Sequence, residues 1–181
     1  MKKSNLVLII AVLLLAFFFF AFQKIMHDYI DKVDRSKVNL AVKEEVRDVS
    51  AFKNIYNEEG AYIYFIQDSI TQLKIKAPEN LLPFVKVKIS GDTLRIENAK
   101  EIRKRDSVQI FIHNSVLEGV VMHSGTAFET MGQVSGKDLN LLFSNESYGV
   151  LDLSYESVRS KAKSGAKVNI KGNSNQVDFS N

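Results

Sequence analysis

The chain has 181 residues, of which 45% are hydrophobic, 10% aromatic and 25% charged, a composition typical of a folded protein. It contains no cysteine, which excludes disulfide bonds, thiol catalysis and cysteine-based zinc sites. The formal net charge is +3, but Lys2 and Lys3 precede the first apolar segment, and beyond it 22 basic groups stand against 21 acidic groups. This near balance gives no support for nucleic-acid binding.

The first predicted element is the uncharged apolar run LVLIIAVLLLAFFFFAF, Leu6–Phe22. It has no polar face, and its length reaches the lower end of what a helix needs to cross a membrane. We predict a cytoplasmic N-terminus over residues 1–5 and an uncleaved transmembrane signal anchor over residues 6–22, with the remaining chain outside the cytoplasm. A cleaved signal peptide is the alternative, although no Ala-x-Ala pattern follows the run.

Residues 23–45 are predicted to form a stalk or linker. Ile25, Tyr29 and Val33 recur at helical spacing, so the helix is expected to continue to about residue 35, as a stalk or lying against the bilayer. His27 lies on this segment and is interpreted as a solvated side chain rather than a ligand.

From residue 46 to residue 181 the pattern favours strands. Alternation of apolar and polar residues begins at Leu73 in LKIKA and at Val108 in VQIFIHNS. The sequence FVKVKISGDTLRIEN, residues 84–98, alternates on both sides of a glycine-containing turn, which predicts a β-hairpin. We therefore predict an all-β domain over residues 46–181.

Beyond Leu117 the predicted strands are short and separated by glycine, serine and asparagine. Four similar segments begin at Leu117, Leu139, Val158 and Val177, at intervals of 22, 19 and 19 residues. Such a period predicts a β-solenoid whose coils stack their inward side chains, with glycine or asparagine supplying positive φ at the corners. The predicted fold is a short right-handed β-helix, or β-solenoid, preceded by the transmembrane helix; a β-sandwich is the alternative.

The polar ending KSGAKVNIKGNSNQVDFSN, residues 163–181, is predicted to be ordered. Val168 and Ile170 are aligned with Leu151 and Leu153 of the preceding coil, and VDFS is expected to begin a further, exposed strand.

The order of segments resembles the auto-transporter adhesin head, or GIN, domain family, which is found mainly in Bacteroidetes. The resemblance covers roughly residues 46–181 and rests on stretches that include FKNI at Phe52, NLL at Asn80, GDTLRI at Gly91 and LEGV at Leu117. It implies a β-helical fold and an envelope location, and it brings no catalytic motif. Members of the family often begin with a lipoprotein or ordinary signal, from which this chain departs.

Residues that could carry chemistry are few. His113 and His123 follow alternating strands and could share a metal if those strands were neighbours, but no third ligand is evident. We interpret both as surface residues at strand ends. The basic loop KEIRKRDS, residues 100–107, is interpreted as a solvated connection between strands. Contact with anionic lipids or glycans is the alternative.

Charged residues also occur on the predicted solenoid, where a β-helical polysaccharide lyase or hydrolase would place its catalytic groups: Asp138, Asp152, Asp178, Arg159 and Lys161. Outward positions of any strand are polar, so such scatter is expected without catalysis. We predict no catalytic residue, no cofactor-binding residue, no metal ligand and no cofactor.

The functional hypothesis is a non-enzymatic, membrane-anchored envelope protein that acts as an adhesion-like binding module or a structural module. Its expected partners are the lipid bilayer, through the N-terminal helix, and an envelope protein or glycan, and not nucleic acid. The expected location is the inner membrane with a periplasmic domain, or export after signal cleavage. A carbohydrate-active β-helix enzyme and a self-stacking envelope subunit are the alternatives.

Overall fold

The computed structural model describes residues 14–26, 41–58, 60–98 and 108–180. The chain divides into two compact units, Met1–Asn39 and Leu40–Asn181. In the first unit, helix α1 covers residues 14–26 and exposes its large apolar side chains. None of the helical structure within the described ranges is long and apolar enough to cross a membrane. Part of the predicted anchor, His27 and most of the predicted stalk lie outside the described residues.

The second unit is built from strands. Their bounds are β1 Val42–Asp48, β2 Asn54–Asn57, β3 Tyr62–Gln67, β4 Gln72–Pro78, β5 Val85–Ser90, β6 Thr93–Asn98, β7 Gln109–Asn114, β8 Gly119–Met122, β9 Ala127–Phe143, β10 Tyr148–Ala162 and β11 Lys167–Ser180, with a 3₁₀ turn at Leu82–Phe84 before β5.

The eleven strands within the described ranges belong to one mixed sheet, which curls into a half-barrel. Its order is β1-β4-β7-β3-β9-β8-β2-β6-β5, with β10 paired to β9 and β11 paired to β10. The pairs β1–β4, β4–β7 and β5–β6 are antiparallel, and the other pairs are parallel. Parallel neighbours need long connections, so residues distant in sequence meet across the sheet.

The predicted fold class, a right-handed β-helix preceded by a transmembrane helix, is wrong. The strands form a curled half-barrel with antiparallel pairs at its edges, and the last three strands contain 17, 15 and 14 residues rather than being short. The β-sandwich alternative requires two packed sheets, whereas the described strands form one. The period near 20 residues arises because parallel neighbours repeat at that spacing: Leu139 pairs with Val158, and Val158 with Val177.

The register between the last two strands differs from the predicted alignment by two residues. Val168 pairs with Gly149, and Ile170 with Leu151, rather than with Leu151 and Leu153. A shift of two residues keeps every side chain on the same face, so the alternation in the sequence cannot detect it. The ending is ordered, as predicted, but VDFS continues β11, Lys167–Ser180, and does not begin a further strand.

The hairpin prediction is confirmed. β5 and β6 pair antiparallel from Val85 opposite Asn98 to Ser90 opposite Thr93, with Gly91 at φ +62° in the turn. Alternate side chains of the strands form a single apolar core, whose largest fully buried members are Phe65, Phe128, Phe143, Ile55, Ile63, Leu73, Ile75, Leu94, Ile96, Ile110, Ile112 and Leu117.

Three turns lie side by side at the start of the long strands. Each contains two residues of positive φ: Ser124–Gly125, Asn145–Glu146 and Ser164–Gly165. Main-chain bonds join them, since Gly125 N–H donates to the Asn145 carbonyl at 2.8 Å and Glu146 N–H donates to the Ser164 carbonyl at 3.1 Å. These bonds align the first residues of β9, β10 and β11, which border the candidate site.

Candidate functional site

A row of stacked aromatic rings lies on the face of the sheet opposite the core. Along β3, Ile63 and Phe65 are fully buried, so the alternate residues Tyr62 and Tyr64 point away from the core. Tyr64 stacks on Tyr62 and on Phe111 of β7, with ring centroids 4.8 Å apart in both pairs. We call Tyr62, Tyr64 and Phe111 the aromatic stripe.

Charged groups adjoin the stripe at its β4 end. Lys76 places its Nζ 5.3 Å from the centre of the Phe111 ring and 2.7 Å from a carboxylate oxygen of Glu44. This lysine pairing, with the Lys74 charge as a smaller contribution, keeps the pKa of Glu44 below its ordinary value. The stripe is therefore flanked by a cation held over an aromatic ring.

At its other end the stripe opens into a cavity of about 620 Å³, within the range of small-molecule sites. It is lined by Tyr62, Ala127, Glu146, Ser147, Tyr148, Gly165 and Lys167.

Two tyrosines that line the cavity flank a small residue in one row of the sheet. Tyr62 of β3 is in register with Ala127 of β9, which is in register with Tyr148 of β10. Phe128, the next residue of β9, belongs to the core, so Ala127 faces the side of the tyrosines. Ala127 is only 1% exposed, so the neighbouring side chains cover its methyl group. We call the cavity lined by these residues the tyrosine slot.

Polar groups surround the tyrosine slot. The Tyr62 hydroxyl donates to a carboxylate oxygen of Glu129 at 3.1 Å. Desolvation, followed by this hydrogen bond and the Glu129 charge, raises the pKa of Tyr62 to about 12, and Tyr148 is close enough to add to the shift. The Ser147 hydroxyl is buried without a hydrogen-bond partner in the described part of the chain. The lining of the slot thus includes two tyrosines, a glutamate and a lysine.

A smaller groove of about 330 Å³ crosses β6, β2, β8 and β9. The Arg95 guanidinium lies 4.6 Å from the centre of the Tyr56 ring, and Val121 and Leu142 contribute apolar surface. The Asn54 side chain occupies the space above Gly119, where a Cβ would lie 2.4 Å from Asn54 Oδ1. Because Asn54 fills part of this groove, the tyrosine slot is the more open site.

The two histidines singled out in the sequence have separate local partners. His113 Nδ1 lies 3.2 Å from Asp68 Oδ2, and this hydrogen bond is the largest cause of a lowered Asp68 pKa. His123 forms a short hydrogen bond with Ser144 and packs on the ring of Tyr56. Within the described ranges, no group of three or more His, Cys, Asp or Glu side chains could hold a metal ion.

The charged residues considered for catalysis do not line either cavity. Asp152 pairs with Lys171 at 3.2 Å and accepts a hydrogen bond from Gln133. Arg159 lies opposite Asp178 in the register of β10 and β11, but among the described residues neither Arg159 nor Lys161 forms an ion pair. The basic loop over residues 100–107 lies outside the described ranges.

Sequence reasoning missed the residues of the tyrosine slot. Tyr62 and Tyr64 alternate with buried residues in AYIYFIQ, so two outward tyrosines were visible in the pattern. The approach of Ala127 and Tyr148 was not visible, because it depends on the register between strands that begin 21 residues apart.

Comparison with known proteins identifies relatives of the second unit. A family model described as "Putative auto-transporter adhesin, head GIN domain" matches residues 51–181. No curated protein matches the chain.

Solved structures of three adhesin-like proteins share the fold. A "putative adhesin" from Bacteroides fragilis is 17% identical with a TM-score of 0.70, covering 76% of this chain and 65% of its own. One from Parabacteroides distasonis is 16% identical with a TM-score of 0.57, covering 78% and 70%. One from Parabacteroides merdae is 17% identical with a TM-score of 0.50, covering 77% and 82%. The chain thus spans less than two thirds of the Bacteroides fragilis protein.

Proposed function

This chain belongs to the family described as "Putative auto-transporter adhesin, head GIN domain", and on that premise we propose that it is a non-enzymatic, adhesion-like binding domain of the bacterial cell envelope. We further propose that the domain lies on the periplasmic side and binds an envelope protein or glycan. The observation that carries the proposal is the aromatic stripe, which lies on the outer face of the sheet and opens into the tyrosine slot.

The three aromatic side chains of the stripe form a continuous row on the outer face, which distinguishes them from single aromatic residues scattered over a surface. Aromatic residues supply large contact areas at binding surfaces while losing little side-chain entropy, and tyrosine adds a hydroxyl for hydrogen bonding. The fully buried residues of β3 already fill the core, so the fold does not need Tyr62 and Tyr64 there. A role in contacting a partner accounts for their position.

The enzymatic alternative requires acidic or basic groups that converge on a cleft. The tyrosine slot contains Glu146 and Lys167, and Glu129 is engaged by the Tyr62 hydroxyl. None of the five charged residues considered from the sequence lines this slot. We favour binding over turnover because of the aromatic stripe on the same face.

Retention of the purified full chain on bacterial envelope fragments tests the proposal. The variant Phe111→Ala removes one end of the aromatic stripe and should weaken retention several-fold. Tyr56→Ala, which truncates an aromatic residue in the other groove, is the matched control and should leave retention unchanged. Equal retention of both variants, or no retention of the unmodified chain, would contradict the proposal.

A further inference from the structure

We propose that β1, Val42–Asp48, is a strap that opens separately from the rest of the sheet and that salt promotes this opening. The opening is a property of the fold and does not depend on what the aromatic stripe binds.

No residue of β1 belongs to the apolar core. Within the described ranges, β1 is an edge strand that pairs with β4 alone. None of its seven residues is buried, and its two valines, Val42 and Val46, are 67% and 52% exposed. Release of β1 from the sheet therefore gives up little apolar burial of its own.

The side of β1 that faces the rim of the core carries charges. Residues directly opposite each other in an antiparallel pair lie on the same face of the sheet. Three fully buried residues of β4 have charged residues opposite them in β1: Ala77 opposite Lys43, Ile75 opposite Glu45, and Leu73 opposite Arg47. Such inward charges are typical of edge strands that do not pack into the core, so polar contacts rather than apolar packing hold β1 in place.

Ion pairs at the surface supply part of this attachment. Glu44 lies 2.7 Å from Lys76 Nζ and 3.7 Å from Lys74 Nζ, and Lys43 Nζ lies 2.5 Å from Glu79. The side chains in these pairs are 35–55% exposed. Salt screens exposed pairs of this kind, so a high salt concentration should favour the open strap.

Arg47 connects β1 to the strand at the other end of the sheet order. Its guanidinium donates to the Val85 carbonyl at 2.6 Å and to the Leu82 carbonyl at 3.5 Å, at the start of β5. Water can replace both bonds when the strap opens, because the arginine side chain is 25% exposed.

Opening of the strap changes the charge beside the aromatic stripe. Among the described residues, Glu44 is the one carboxylate that forms ion pairs with Lys74 and Lys76. Lys76 also lies 5.3 Å from the centre of the Phe111 ring, at the β4 end of the stripe. In the open state both lysines lose their carboxylate partner, so this end of the stripe becomes more positive. The strap thereby controls how strongly the stripe attracts an anionic group.

Hydrogen exchange of the full chain, resolved to single amides in a non-ionic detergent, tests the inference. The bond from Glu79 N–H to the Ala41 carbonyl sets the alternation of the antiparallel pair, so the β1 amides that donate to β4 are those of Lys43, Glu45 and Arg47. After correction for intrinsic rates, these amides should exchange about tenfold or more faster than those of β7. Raising NaCl from about 0.05 M to about 1 M should increase this ratio about threefold or more.

Glu44→Gln removes the pairs with Lys74 and Lys76 and should speed exchange of the β1 amides about threefold at low salt. Glu97→Gln is the matched control, since it removes an exposed pair with Lys88 in the hairpin of β5 and β6, and it should change β1 exchange by less than about 1.5-fold. The inference is overturned if the β1 amides exchange at the rate of β7, if salt leaves their ratio unchanged, or if the two variants have equal effects. Melting curves identify a variant that fails to fold, and the salt series on the unmodified chain then decides.

Discussion

Gln67 and Ser135 lie 68 residues apart in the chain, and a pair of hydrogen bonds joins the amide side chain of one to the main chain of the other. Ser135 N–H donates to Gln67 Oε1, and Gln67 Nε2 donates to the Ser135 carbonyl, both at 2.8 Å. The same Nε2 also reaches the Ser115 carbonyl at 3.0 Å. These bonds attach β9, beyond Gly132 with its φ of +97°, to the end of the strand that carries Tyr62.

Replacing Gln67 should therefore loosen this attachment. We expect Gln67→Ala to lower the free energy of unfolding by about 1 kcal/mol, since several bonds are lost but water can replace them at a partly exposed site. Urea denaturation measures the difference. Gln176→Ala, at an exposed position of β11, should change stability by less than about 0.5 kcal/mol. Equal effects of the two substitutions would show that the Gln67 bonds contribute nothing.

Tyr155 should stabilise the fold through its hydroxyl. Its O–H donates to the Leu117 carbonyl at 2.8 Å in a buried setting, and burial raises the pKa of the phenol above its ordinary value. Tyr155→Phe keeps the ring but removes the donor, and should cost about 1–2 kcal/mol. Thermal denaturation measures this cost, with Tyr56→Phe as the control at a less buried position. An unchanged melting temperature for Tyr155→Phe would refute the prediction.

Substitutions at Gly91 and Gly172 distinguish the free-energy cost of backbone strain from that of a steric clash. Gly172 has φ +113°, and a Cβ there would lie 1.9 Å from the Leu153 carbonyl oxygen, whereas Gly91 has φ +62° with open space around it. Gly91→Ala should cost about 1–2 kcal/mol from the left-handed conformation alone. Gly172→Ala adds the collision with β10 and should be the more destabilising of the two in urea denaturation. The reverse order would contradict the close approach of β11 to β10.

Alkaline pH should weaken the contribution of Tyr62. Its pKa in the folded protein is raised from 10.0 to about 12, so the folded state binds the proton more tightly than the unfolded chain. The resulting stabilisation is complete below pH 10 and is lost as the pH rises through 12. Titration of phenolate absorbance should show a late component that Tyr62→Phe removes. Tyr155 also titrates late, so the comparison is made in Tyr155→Phe.

Glu129→Gln provides the check on the cause of this shift. It removes the carboxylate charge and the charged hydrogen-bond acceptor, while the desolvation of Tyr62, the largest cause, remains. The late component should therefore move part of the way toward pH 10. A titration unaffected by Glu129→Gln would show that Glu129 does not interact with Tyr62.

Local patterns predicted more of this fold than of its site. Alternation around Gly91 was sufficient for the hairpin of β5 and β6, because neighbouring strands and a turn determine it. The 19-residue interval also placed Leu139 and Val158 at equivalent positions, and these two residues are paired in the sheet. A sequence period cannot distinguish coils from parallel neighbours in one curled sheet, and the predicted β-helix failed there.

The tyrosine slot depends on information that periodicity lacks. In the sequence, Ala127 is a small residue after a turn and Tyr148 is one of six tyrosines. Nothing in the local pattern marks either of them as a site residue. Their relationship follows from a register that includes a shift between Val150 and Asp152, which alters the spacing from 21 to 19 residues along β10. No regular repeat contains that irregularity.

Hydroxyl-radical footprinting of the full chain on bacterial envelope fragments tests most directly whether the outer face of the sheet contacts the ligand. Tyr62 and Tyr148 should become less reactive when the chain is bound, while Tyr56, on other strands, should react as it does in the free chain. Unchanged reactivity of Tyr62 and Tyr148 in the bound chain, or protection of Tyr56 in their place, would contradict ligand contact on this face.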